Sequence, residues 1–97
     1  MNFTELVSNF EKMVSESFKY ELLEQHFLPY SFGSGYSAYR IKGRNVKLIF
    51  DGKDFLISLF ISSPHEKYPN VNWIKLFVGQ EEEFFNLGII ELKNKMI

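Results

Sequence analysis

"YRIKGRNVKLIFDGKDFLISLF", residues 39–60, decides the fold. Apolar and polar residues alternate along it, and two Gly-containing turns interrupt the alternation, so it reads as three antiparallel strands. A two-residue turn at Gly43-Arg44 sets Ile41 opposite Val46 and Tyr39 opposite Leu48. The next turn is Asp51-Gly52 or Gly52-Lys53, and either choice places even-numbered residues opposite odd-numbered ones. One face then carries Tyr39, Ile41, Val46, Leu48, Phe50, Phe55, Ile57, Leu59 and Ile61. The other carries Tyr36, Ala38, Arg40, Lys42, Lys47, Ile49, Leu56, Ser58 and Phe60. A slip of one residue would turn the apolar set to water, so burial holds the register. Arg40 lies opposite Lys47 in this register, a like-charge pairing that is unfavourable unless acids or a bound anion relieve it.

Upstream, Asn2 followed by Glu5 forms a capping-box pattern, and Phe3, Leu6, Val7, Phe10, Met13, Val14 and Phe18 recur at helical spacing. The stripe continues through Leu22, Leu23 and Phe27. This predicts a helix that runs to about residue 26 or bends near Ser15 to Ser17, and Pro29 stops it in either case. "PYSFGSGYS" (29–37) reads as a connection with a short extended piece at Tyr30 to Phe32.

Downstream, "SSPHEKYPN" (62–70) is a loop and "VNWIKLFVG" (71–79) a fourth strand of undetermined pairing. The tail "QEEEFFNLGIIELKNKMI" (80–97) places Phe85, Ile89, Leu92 and Met96 on one helical stripe. Glu81 to Glu83 sit at its start and Lys93 and Lys95 near its end, as the helix dipole favours. The expected fold is α+β: an N-terminal helix, a three- to four-stranded antiparallel meander, and a C-terminal helix packed on the sheet, all in a single domain over residues 1–97.

The composition, 45% hydrophobic with eleven Phe, supplies a core for one domain and argues against disorder. The chain has no Cys, which excludes disulfides, thiolate zinc ligands and thiol catalysis and suits a reducing cytoplasm. Glu5, Glu11 and Glu16 interrupt any signal-peptide core, and no stretch reaches the roughly 18 apolar residues of a membrane span. A cytoplasmic protein without membrane attachment is expected. Net charge is −1, but residues 1–30 hold five Glu against Lys12 and Lys19, while residues 36–53 hold Arg40, Lys42, Arg44, Lys47 and Lys53 against Asp51. The charge is polarised along the chain.

Catalytic patterns are missing. His26 and His65 are far apart and belong to no metal-binding spacing, so neither a metal nor another cofactor is expected. "GSG" at 33–35 is loop composition rather than a nucleophile elbow or a phosphate loop. Asp51 and Asp54 bracket a turn, and Glu81 to Glu83 open a helix. Trp73, between Val71 and Ile74, reads as core.

The remaining candidates for binding are the aromatic residues of the Gly-rich connection, Tyr30, Phe32 and Tyr36, and the basic residues of the hairpin, Arg40, Lys42, Arg44 and Lys47. The leading expectation is a non-enzymatic module that binds and masks another protein, its two surfaces of opposite charge providing complementarity. In general look the chain is similar to small inhibitor and immunity-type proteins. The alternative is nucleic-acid binding through the basic and aromatic face of the hairpin. A homodimer formed through an open strand edge is compatible with either.

Overall fold

The computed structural model describes residues 1–96. Helix α1 (Phe3–Ser15) begins where the capping box predicts, with the Asn2 side chain accepting from the Glu5 N–H at 2.8 Å. Its buried stripe is Phe3, Leu6, Val7, Phe10 and Val14. Ser15 ends the helix, its hydroxyl turned back onto the Lys12 carbonyl at 2.8 Å.

Five strands follow: β1 (Tyr20–Leu28), β2 (Ser34–Ile41), β3 (Arg44–Asp51), β4 (Leu56–Ile61) and β5 (Ile74–Gly79). Each pairs antiparallel with its sequence neighbour, giving a five-stranded meander in the order β1-β2-β3-β4-β5. The chain ends in a short helix α2 (Glu81–Glu83), a π-helical turn (Phe84–Gly88) and α3 (Ile89–Met96).

The α+β class and the two terminal helices agree with the sequence reading, while the strand count rises from three or four to five. The extra strand is β1, which occupies the segment expected to continue the first helix. Residues 21–25 are mostly good helix formers, but a strand here satisfies the free edge of β2, and tertiary pairing outweighs weak local propensity. A bulge between Leu22 and Glu24 shifts the alternation of β1 at its middle, so no simple period-2 pattern marks it.

Two turns also differ. The β2–β3 turn is Lys42-Gly43, both at positive φ (49° and 75°), so Tyr39 pairs with Val46 and Arg40 with Asn45. Two positive φ values match the strand twist that a two-residue hairpin needs. The β3–β4 connection spans residues 52–55, and Asp51 pairs with Leu56. Both changes move the register by an even number of residues, so the faces stay as assigned. Phe55 is the exception: it lies in the longer turn at φ 54° and is 62% exposed.

Tyr39, Ile41, Val46, Leu48, Phe50, Ile57, Leu59 and Ile61 are buried against α1 and the C-terminal helices. Both helical segments therefore cover one face of the sheet. The molecule's shortest extent is 20 Å, the thickness of one helix layer on one sheet layer. The C-terminal stripe is corrected at its first residue, because Phe84 rather than Phe85 is fully buried. The π turn spaces Phe84 and Ile89 five residues apart on the core side.

Candidate functional site

The second sheet face carries no helix, but the β4–β5 connection crosses part of it as a strap. Asn45 on β3, fully buried, donates its side-chain amide to the Ser62 hydroxyl (3.2 Å) and to the Glu66 carbonyl (2.7 Å). The Glu66 carboxylate closes the strap on itself by accepting from the Ser63 N–H (2.9 Å) and from the Asn72 backbone and side chain (3.1 and 3.2 Å). Further along, the Tyr68 hydroxyl reaches across to β1 and donates to Glu24. The strap thus ties strands at opposite sides of the sheet.

Glu24 is the hub. It also accepts from the Tyr36 hydroxyl at 2.6 Å and lies 3.1 Å from the His26 imidazole, whose ring stacks on Tyr36. Ala38, paired with Glu24 on one side and Lys47 on the other, is fully buried although it faces away from the helices. Its small side chain leaves room for these longer neighbours to close over it. The Lys47 ammonium sits 4.5 Å from the Tyr36 ring centroid and 5.8 Å from that of Trp73, and Tyr68 meets Trp73 edge-on at 6.5 Å. Beside them, Lys47, Ile49, Phe60 and Trp73 line a pocket of about 70 Å³, and Lys75 lies over the Phe60 ring at 5.8 Å.

Hydrogen bonds from Tyr36 and then Tyr68 hold the Glu24 carboxyl below its ordinary value of 4.5, with smaller help from His26 and Lys47. The bond to Glu24, and then burial, raise the Tyr36 phenol. Burial first and Glu24 second push Tyr68 up to about 12. Carboxyl and phenols are displaced away from neutrality in opposite directions, whereas general acid–base catalysis needs groups poised near it. The network suits holding side chains in place.

The sequence candidates fall into three places. Tyr36, Arg40 and Lys47 share the strapped face. Arg40 stands beside Asn45, its guanidinium 3.5 Å from the amide oxygen, so the like-charge pairing with Lys47 expected from sequence does not occur. Lys42 and Arg44 lie at one end of the sheet: Lys42 is exposed above Phe18 at 5.5 Å, and Arg44 donates to the Ser62 and Lys95 carbonyls, both at 3.0 Å. Tyr30 and Phe32 stand exposed in the connection between β1 and β2, next to the far ends of those strands.

Glu24, His26, Tyr68, Trp73 and Lys75 were missed. The helix expected from the sequence runs through the first two, and the path of the strap, which brings Tyr68 and Trp73 to the face, leaves no local pattern. Trp73 is half-buried on this face rather than in the core.

Elsewhere, a groove of about 340 Å³ runs between α1 and the C-terminal segment, lined by Met1, Asn9, Lys12, Met13, Glu16, Glu81 and Phe85. Its flexible methionines and mixed charges bring no set of polar groups to one point. Among the described residues no three His, Asp or Glu side chains converge as a metal site, and no helix is long and apolar enough to cross a membrane. The chain matches no protein-family model, no curated protein and no solved structure.

Proposed function

We propose that the protein is a non-enzymatic binding module that masks a partner protein with the strapped face of its sheet, as an inhibitor or immunity-type protein would. The observation that carries this reading is the arrangement of Tyr36, Trp73 and Lys47, part-exposed and held by the Glu24 network independently of any partner. Trp and Tyr dominate the energetics of protein interfaces, and side chains already fixed lose less freedom on binding. The cysteine-free composition fits a reducing compartment such as the cytoplasm.

Affinity purification from the native cells tests the proposal, comparing the wild-type chain with Trp73→Ala, Lys47→Glu and, on the helical face, Glu16→Lys. Wild type and E16K should recover one protein in equimolar amount, and the two face variants, checked for native circular dichroism, should lose it. Equal recovery by all four, or no stoichiometric protein with any, would refute it.

The nucleic-acid alternative draws on one observation, the two lysines that lie over aromatic rings on this face. It predicts affinity for single strands that falls with salt by a log–log slope of about −0.7 per phosphate contacted, and that weakens when Arg40 and Lys47 are neutralised. Arg40 beside Asn45 removes the like-charge pair on which this alternative rests, and the Glu24 carboxylate, next to Tyr36 on the same face, disfavours a polyanion.

A further inference from the structure

We infer that the pocket between Trp73 and Phe60 receives an acidic segment of the partner, with an Asp or Glu carboxylate between Lys47 and Lys75 and a neighbouring apolar side chain against Ile49. The inference rests on the reading of this face as a protein-binding surface and adds the chemistry of what binds there.

The argument is an asymmetry between acids and bases. Among the described residues the only ion pair within 4.0 Å joins His26 to Glu24, so neither Lys47 nor Lys75 has a carboxylate at that distance. Glu24 is near enough for the charge of Lys47 to act on it, but its oxygens are taken by Tyr36, Tyr68 and His26. Glu66 is likewise filled by Ser63 and Asn72. Glu24 and Glu66 are thus satisfied internally, while the two ammonium groups rest on ring faces that leave N–H donors free. A carboxylate from outside completes those donors, and charge-assisted bonds of this kind are the stronger ones.

The pocket that Lys47 lines, with Lys75 over its Phe60 wall, is apolar at Ile49, Phe60 and Trp73 and about 70 Å³ in volume, which favours one small side chain beside the acid. A nucleic acid would instead need cations spaced along its backbone, but Arg40, the other basic strand residue on the Lys47 side of the hairpin, is turned to the Asn45 amide oxygen at 3.5 Å, and Arg44 is committed to the Ser62 and Lys95 carbonyls.

The test pans the full-length chain against a displayed random-peptide library, then titrates the synthesised winners by the fluorescence of Trp73, the one tryptophan in the chain. Winners should carry Asp or Glu next to an aliphatic or aromatic residue. Changing that acid to its amide, or using the K47M/K75M variant, should weaken binding about tenfold or more, the loss of at least one charged contact. The K47R/K75R variant, which keeps the charge, should stay within a few-fold of wild type.

Neutral or basic winners, equal binding to K47M/K75M, no enriched peptide, or a response of Trp73 to oligothymidylate alone each overturn the inference. If the cellular partner is still lost with Trp73→Ala while peptides show no acidic preference, only this inference falls. If neither a partner nor a peptide binds, the proposed function falls with it.

Discussion

Tyr39 shows how one side chain links α1 to the sheet. Its ring is fully buried, 5.4 Å from Phe10 and edge-on to Tyr20 at 5.6 Å, and its hydroxyl donates to Glu11 of α1 at 2.8 Å. Burial, and then the carboxylate of Glu11, raise this phenol far above 10. The sign follows from linkage. The folded state keeps Tyr39 neutral while an unfolded chain ionises it near pH 10, so the contribution is complete below pH 10 and is lost as pH rises above it. Tyr39→Phe removes one hydrogen bond and leaves Glu11, which is only part-buried, free to turn to water. The expected loss is about 1 kcal/mol at pH 7. Urea unfolding repeated above pH 10 should find that gap narrowed, because only the wild type still carries a proton to lose at this position. An unchanged gap at both pH values would show that the hydroxyl is not held as described.

At the level of elements, the π turn between α2 and α3 explains a glycine. A Cβ on Gly88 would stand 2.9 Å from the Phe84 ring and 3.2 Å from that of Phe77, both in the packed layer below. In an ordinary helix Gly→Ala stabilises by about 0.5–1 kcal/mol, but here the overpacking should reverse the sign and cost about 1–3 kcal/mol. Thermal unfolding of Gly88→Ala gives the answer directly, since a higher melting temperature than wild type would mean the turn is not packed this way. The same level shows what the sequence made legible. The capping box at Asn2, the faces of β2 to β4 and the C-terminal helix could all be read, because each depends on local chemistry or on parity. Parity is robust: both misplaced turns shifted by an even count, so Tyr36, Arg40 and Lys47 still share a face. β1 was not legible, since Glu21 to Gln25 favour a helix and the bulge at Leu23 breaks the alternation. Its misreading hid Glu24, and with Glu24 the reason that Tyr68 and Trp73 lie on the sheet.

Across the whole molecule the two sheet faces are covered differently. The helices and one sheet face enclose the core, leaving the strapped face and the two sheet edges as places where another chain could add. Both edges are irregular. β1 bulges between Leu22 and Glu24, and the β4–β5 pairing shifts between Leu59 and Phe60. A bulge twists the edge and breaks the row of N–H and C=O groups that an incoming strand must match, a device by which proteins keep edges from pairing. Exposed Leu22, Phe27, Ile74 and Val78 on these strands would otherwise invite association. The chain should therefore sediment as a single 11.5 kDa species from low to high micromolar concentration. A mass that rises toward twice that value with concentration would overturn this reading of the edges. Loss of that association with Leu22→Lys but not with Trp73→Ala would then place the contact at the β1 edge rather than on the strapped face.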